Sequence, residues 1–471
     1  MSTQFSERTR EIMSAVVQIH ADGYNGEEIE SILNPRLGNL KSWSGSGFFI
    51  NCVFGKDIIV TNAHVVSNAK FLSIMSMLTS EETFEVEIIG IVKNQEPDVA
   101  ILRLKAGELE RFNKLASCQI PYLKLSKSET ISRGTELKAI GYPAGMSEPN
   151  ITGGEISNFV SGNRITAEKY VTDASINPGN SGGPAIDRSG NVIGINTSIL
   201  KHSKNIGFIT PYMFIEIILL NIFEKNAISF SDIGGIFQKN SVDVSQFLKM
   251  KESKGIIVRS VERGGFLESI GVKDEDVILS INDKNIDRHG LLLDRQHHHR
   301  RNVFDAFKLF PIGQIAKLAI WRDGQKLYVE GPTLESPIKK MISVPIIEER
   351  KFIEIWGMTI QILSCEIFEG FGAFNEHLFY QLIRSYNEFK ERLVVTHIIR
   401  QSPAYLQYWA VGETIKSVND IQIEGMLHLI EVLKTDTTLF KIKSDSGSIG
   451  IFKSRDLRPN IKLENPFSHL K

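Results

Sequence analysis

Ser175-Ile176-Asn177-Pro178-Gly179-Asn180-Ser181-Gly182-Gly183-Pro184 is the stretch on which the reading of this chain turns. A serine set among glycines suits a nucleophile on a tight turn, because glycine tolerates φ > 0 and lets another backbone approach closely. The amides of Gly179, Asn180 and Ser181 surround the position an oxyanion would take, with those of Gly179 and Ser181 carrying most of that role. A glycine-rich hairpin turn holding an incidental serine would look the same in isolation. The decision therefore rests on what lies upstream.

Two upstream stretches decide it. Asp57-Ile58-Ile59-Val60-Thr61-Asn62-Ala63-His64-Val65-Val66 runs from an apolar strand into a histidine, and Glu96-Pro97-Asp98-Val99-Ala100-Ile101-Leu102 places an aspartate at the mouth of another strand. Taken singly, His64 reads as a strand-end histidine and Asp98 as a cap. The three residues His64, Asp98 and Ser181 in this order, each flanked by apolar strands, follow the order of the triad in chymotrypsin-like proteases on a double β-barrel.

The chain resembles the HtrA/Deg (Do-like) serine proteases at S-G-S-G-F (44–48), T-N-A-H-V-V (61–66), D-V-A-I-L-R-L (98–104), G-Y-P (141–143), N-P-G-N-S-G-G-P (177–184), G-I-N-T (194–197) and I-G-F-I-T-P (206–211). Two later regions look like PDZ domains, so the resemblance spans nearly the whole chain. It is nearest to a branch whose second PDZ domain is degenerate. The implied fold is mainly β: a chymotrypsin-like double barrel followed by two PDZ-like α+β domains.

Composition limits the alternatives. At 471 residues the chain is too long for one core. Hydrophobic residues make up 42% and charged residues 23%, ordinary for a globular protein. A net charge of −1 exerts no long-range pull on nucleic acid or an anionic membrane, so neither is expected as a partner. Cys52, Cys118 and Cys365 are too few and scattered for a disulfide framework or zinc site, and read as buried thiols of a reducing compartment. The apolar run Ile12 to Ile19 is too short for a secretory signal, and no window reaches membrane-spanning length. These readings predict a cytoplasmic protein, with export independent of a signal peptide left open.

Residues 1–225 are expected to form the protease domain, with short strands punctuated by Gly, Asn and Pro. The first barrel takes Val16 to Ile19, Gly47 to Ile50, Ile58 to Thr61, Glu85 to Val92 and Val99 to Leu104. The second takes Glu136 to Ile140, Gly153 to Val160, Tyr170 to Thr172, Pro184 to Ile186, Val192 to Ser198 and Gly207 to Thr210. Pro211 then opens a helix to about Glu224. Residues 226–335 form the first PDZ-like domain, in which Ile233-Gly234-Gly235-Ile236-Phe237 resembles a carboxylate-binding loop feeding an edge strand, and Val303 to Leu309 is the groove helix. Residues 336–471 hold a weaker copy: Arg392 to Ala404 parallels Gly255 to Gly264, and Trp356 stands where the first copy has Gly234. A long insertion, Phe368 to Lys390, expected to be helical over Glu376 to Lys390, interrupts this copy. The run Gln296-His297-His298-His299-Arg300-Arg301 invites a metal reading, but adjacent loop histidines do not converge on one ion, so it is read as a solvated insertion and no metal is assigned.

The chemistry these residues predict is hydrolysis through an acyl-enzyme: Ser181 attacks, His64 relays the proton, and Asp98 fixes the imidazole. No metal or organic cofactor is needed. Ser175, with Asn196 and Thr197, is placed at the specificity pocket, and a neutral Ser175 argues against a preference for Arg or Lys. The resemblance implies cleavage after small aliphatic residues in unfolded, damaged or specific target proteins. It further implies binding of extended or exposed C-terminal segments and assembly as a homotrimer or a multiple of it. The alternative from another class is a non-catalytic PDZ scaffold or holdase, against which the intact His, Asp and Ser count.

Overall fold

The computed structural model describes residues 2–24, 40–335 and 352–456, apart from 53–54, 68, 80–81, 93–96, 128–130, 144–145, 163–165, 200–205, 226–229, 293–299, 364–366 and 368–390. Cys365, His297 to His299 and the insertion Phe368 to Lys390 therefore lie outside the described residues. The chain divides into two compact units, one comprising Met1–Gly23 with Ser42–Ser336 and the other Tyr24–Lys41 with Pro337–Lys471.

The first unit begins with two closed barrels. Strands β1 (Val16–Tyr24), β2 (Leu40–Cys52), β3 (Gly55–Thr61), β4 (Ala69–Ser76), β5 (Thr83–Ile91) and β6 (Ala100–Leu104) close in the order β1-β2-β3-β6-β5-β4. Strands β7 (Glu136–Gly141), β8 (Asn150–Val160), β9 (Lys169–Thr172), β10 (Pro184–Ile186), β11 (Val192–Ile199) and β12 (Gly207–Pro211) close in the order β10-β11-β12-β9-β8-β7. Alternation drives the closure. In β5 the buried positions Phe84 and Val86 alternate with exposed Thr83, Glu85 and Glu87, so one face meets the barrel core and the other meets water. The Tyr212–Lys225 helix follows β12 and buries Phe214, Ile215 and Ile218 among second-barrel side chains such as Ile193 and Ile195.

The structure adds elements the sequence did not announce. Strand β4 escaped notice because its residues, A-K-F-L-S-I-M-S, are poor in β-branched side chains and bury regularly only at Ile74 and Ser76. The helices Ser2–Ser14 and Glu108–Ala116 were likewise unforeseen. The apolar run from Ile12 to Ile19 is divided between the first of these helices and β1. The thiol reading also needs correction, since Cys118 is exposed and Cys52 only partly buried.

Beyond residue 230 the first unit continues as a sheet of strands Gly235–Lys239, Ile256–Val261, Val277–Ile281, Ile315–Arg322 and Gln325–Pro332, in that spatial order. Helices Phe266–Ser269 and Val303–Lys308 pack on its core through Phe266, Leu267, Val303 and Phe307. Gly235–Lys239 lies at the sheet's edge. The second unit repeats these elements in chain order, around a core containing Trp356, Trp409, Phe440 and Phe452. One difference stands out. The strand Met358–Ile362, which corresponds to Gly235–Lys239, is paired on both sides, by Leu393–Ile398 and by the chain's own Phe352–Ile355.

Candidate active site

His64 lies on a short helical turn, Ala63–Val66, that follows β3 directly. Asp98 precedes β6, the neighbour of β3 in the barrel, and that adjacency brings the two together. One Asp98 oxygen lies 2.5 Å from Nδ1 of His64, and the other accepts the His64 backbone amide at 2.9 Å. Burial alone would raise the Asp98 carboxyl. The neighbouring imidazole and the hydrogen bonds from the ring and amide of His64 outweigh it, helped by Lys169, and hold the group below its ordinary range. The His64 side chain is 47% exposed while that of Asp98 is 16% exposed, so the imidazole faces solvent with its back fixed.

Asn62 extends this arrangement toward the second barrel. Its side-chain amide donates to the Asp98 carbonyl at 2.7 Å and to Thr197 Oγ1 at 3.3 Å. Ser181 Oγ in turn donates to the Thr197 carbonyl at 3.0 Å. His64, Asp98, Asn62, Thr197 and Ser181 thus form one connected path across the two barrels. The sequence missed Asn62, although a polar residue between an apolar strand and a histidine, here fully buried, was the available signal.

The turn before Ser181 has defined geometry. The amide of Asn180 donates to the carbonyl of Asn177 at 2.9 Å, and the central residues are Pro178 and Gly179, the latter at φ 101. Proline first and a positive-φ glycine second is the type II arrangement. Among the described residues, the amides of Gly179 and Ser181 donate to no acceptor. Two free donors on either side of Asn180 can converge on an anionic oxygen. Asn180 itself leaves the predicted oxyanion set, because its amide closes the turn; its side chain is buried, and no partner meets its amide nitrogen or oxygen among the described residues. Gly182, at φ 88, is required on the far side: a Cβ there would lie 2.0 Å from the Ser46 carbonyl oxygen and 2.2 Å from Thr61 Oγ1.

The predicted specificity residues fare unevenly. Ser175 is exposed, and its carbonyl accepts from Thr152 Oγ1 at 2.8 Å. Asn196 and Thr197 do not line a pocket with their side chains. Asn196 is fully buried, donating to the carbonyls of Ile140 and Pro184, and Thr197 Oγ1 is tied to Ile195 and Thr210. Both brace the strand behind Ser181 through these hydrogen bonds.

In the loop Ile233 to Phe237, the Gly234 amide donates to Asp232 Oδ1 at 2.7 Å, and Phe237 rests on Phe304 of the Val303–Lys308 helix at 5.4 Å between ring centres. The Gly235 position is closed inward, where a Cβ would lie 2.9 Å from Leu267 Cδ1.

A further cluster joins this body to the second barrel. Arg301 grips Glu168 with two hydrogen bonds of 2.8 Å. Asp305 accepts the amides of Gly162 at 2.7 Å and Glu168 at 2.9 Å, while Asn302 and Lys308 donate to the carbonyls of Gly162 and Thr166. Burial, opposed by Lys308 and reinforced by Glu168, pushes the Asp305 carboxyl up to about 6. Arg301 is therefore paired rather than solvated, which corrects the reading of the Gln296 to Arg301 stretch at its last residue.

The two closed barrels are the fold of chymotrypsin-like serine endoproteases. Residues 45–195 match the family model "Trypsin-like peptidase domain". A Chlamydia trachomatis protein named "Probable periplasmic serine endoprotease DegP-like" is 26% identical over 398 residues, covering 83% of this chain and 69% of its own length. "Putative protease Do-like 13" of Arabidopsis thaliana is 28% identical over 404 residues, covering 84% and 75%. Among solved structures, "HtrA-type protease AlgW with decapeptide" shares the fold at 23% identity and a TM-score of 0.52, over 71% of this chain and 99% of that one. The chain is thus similar to the HtrA/Deg serine proteases over most of its length. The relatives overturn the cytoplasmic expectation, since the Chlamydia protein is named periplasmic. The run Ile12 to Ile19, on which that expectation partly rested, is occupied in a helix and in β1 and carries no information on compartment.

Proposed function

We propose that Ser181, His64 and Asp98 carry out the endoproteolysis, and that the amides of Gly179 and Ser181 receive the oxyanion. The observation that carries this reading is the grip of Asp98 on both the ring and the amide of His64. It commits Nδ1 to the carboxylate and leaves Nε2 to take a proton. For attack, the Ser181 hydroxyl turns from the Thr197 carbonyl to the imidazole. The Oγ proton passes to His64, Oγ bonds to the scissile carbonyl carbon, and the carbonyl electron pair moves onto its oxygen between the two amides. His64 then returns the proton to the departing amine. No relative supports the non-catalytic holdase alternative.

The same reading divides the chain into a protease domain over residues 1–225, a PDZ domain over 226–335 and a PDZ-like copy over 336–471. An extended C-terminal peptide would add to the open edge of Gly235–Lys239, beside the Val303–Lys308 helix. Asp232 already places a carboxylate oxygen on the Gly234 amide, so an incoming carboxylate would compete with it. Action on unfolded or damaged proteins outside the cytoplasm, as a homotrimer or a multiple of it that light scattering would detect, belongs to this proposal. Its test is Ser181→Ala on casein: turnover should fall on the order of 10⁶-fold with the melting temperature kept. Activity within tenfold of the unaltered protein would reject the assignment.

A further inference from the structure

Ser46 lies on β2 of the first barrel, fully buried, and touches the nucleophile turn at both ends. Its backbone amide donates to the Ser181 carbonyl at 2.8 Å. Its hydroxyl donates to the Gly179 carbonyl at 2.6 Å and accepts the amide of Tyr142 at 2.9 Å. Because the Tyr142 N–H occupies one lone pair of the hydroxyl, the hydroxyl proton is directed at Gly179. The Ser46 carbonyl accepts Thr61 Oγ1 at 2.7 Å, three residues before His64. One residue thus ties the histidine-bearing strand, the strand end at Tyr142 and both flanks of the Gly179-Asn180-Ser181 turn.

We propose that Ser46 is a positioning residue for the oxyanion site, its hydroxyl holding the turn in the form that leaves the Gly179 amide free. This rests on the reading of Ser181 as nucleophile. A type I and a type II turn over the same four residues differ mainly by rotation of the central peptide, and only one aims the Gly179 N–H outward. The Asn180 amide fixes the start of the turn at Asn177, and Ser46 fixes the carbonyl that follows Gly179. With both anchors made, the Pro178–Gly179 peptide has little freedom to turn over. Without the hydroxyl, Gly179 has no side chain to resist that rotation. The Gly179 carbonyl, only partly buried, would also lose its partner.

Ser46→Ala removes only the hydroxyl, and Ser46→Cys is its isostere with a weak donor. Both are compared with the unaltered protein on a chromogenic peptide, with a peptide boronate that occupies the oxyanion site, and with a product peptide that does not. Loss of a whole oxyanion donor costs about 10²–10³ in kcat. Displacing one should cost roughly 10–100-fold, with KM unchanged, and Cys should fall between Ser and Ala. Boronate affinity should drop by the same factor, while the product peptide binds as before. Two results would overturn the proposal: Ser46→Ala within threefold of the original kcat and boronate affinity, or an equal loss of product-peptide binding showing a general collapse of the site. Ser181→Ala is run beside them. If it retains turnover, the nucleophile assignment fails; if it is dead and Ser46→Ala is fully active, only the present inference fails.

Discussion

The grip of Arg301 on Glu168 predicts a measurable coupling between the second barrel and the sheet that follows it. Arg301→Met keeps the aliphatic stem and removes the guanidinium, leaving Glu168, 1% exposed, without its cation and close to the Asp305 carboxylate. Removing one member of a buried ion pair typically costs 3–5 kcal/mol. The Arg301 side chain is 24% exposed, so water can reach the site and the lower end applies, about 3 kcal/mol. The assay is native-state hydrogen exchange at the amides of Gly162 and Glu168, both of which donate to Asp305 and exchange when the contact opens. About 3 kcal/mol corresponds to roughly a 150-fold loss of protection. The double substitution Arg301→Met with Glu168→Gln should recover most of it, because no buried charge is then stranded. A loss below about fivefold in Arg301→Met, or no recovery in the double variant, would refute the reasoning.

Two further outcomes follow from the same geometry. Asp305 has its carboxyl raised to about 6 in the fold, so between its ordinary range and that value the native state binds the extra proton. Its contribution is therefore most favourable below about pH 4 and is lost as pH rises through about 6, the difference being up to about 3 kcal/mol. Lys308, Arg301 and Glu168 face it, and Asp305→Asn cancels only its own titration. The melting temperature of the unaltered protein should gain on that of Asp305→Asn between pH 7 and pH 5, and a constant difference would remove the idea. In Ser181→Ala, calorimetric titration with an apolar C-terminal peptide should return one site per chain, since in the second copy the strand corresponding to Gly235–Lys239 is paired on both sides; two sites would contradict that.

The barrels were legible because strands in this fold carry their own signals: β-branched runs, alternation, and glycine or proline at the ends. Eleven of the twelve strands, excepting β4, were expected near their observed positions. The trio His64, Asp98 and Ser181 was legible for a different reason, namely that each sits where an apolar strand meets a loop. What stayed hidden were residues that act through buried hydrogen bonds. Asn62, Ser46 and Thr197 are small polar residues in apolar surroundings, and nothing in their spacing says which carbonyl each will meet. The Glu168, Arg301 and Asp305 cluster was hidden more deeply, since Glu168 is over a hundred residues from its partners and each looks like an ordinary surface charge. The turn before Ser181 was half legible: N-P-G-N marks a type II turn, but that the turn consumes the Asn180 amide follows only from its closure.

The two later sheets show how one register decides whether a strand edge is usable. In the first copy, Glu262 N–H donates to the Gly234 carbonyl and Leu267 N–H to that of Ile233; in the second, Ile399 N–H donates to the Gly357 carbonyl and Ala404 N–H to that of Trp356. These bonds equate Gly357 with Gly234 and Trp356 with Ile233, one residue away from the expected alignment. The glycine with positive φ is therefore retained, at 83 against 76. The left-handed glycine is thus common to both copies, although Met358 stands where the first has Gly235. A further difference lies just before the left-handed glycine. In the first copy Ser231–Asp232 leaves to pair with Leu334–Glu335, and among the described residues no strand pairs with the outer edge of Gly235–Lys239. In the second, Trp356 and Gly357 both take positive φ, the signature of a two-residue hairpin turn, and fold Phe352–Ile355 back antiparallel along Met358–Ile362. Trp356 is anchored there by stacking on Phe452, 4.7 Å between ring centres, and by its indole N–H on the Lys453 carbonyl. The strand so placed runs antiparallel beside Met358–Ile362, as a C-terminal peptide would run beside Gly235–Lys239. Trp356 thus closes the second edge by fixing a turn, and the ladder it completes uses the backbone groups a guest would need.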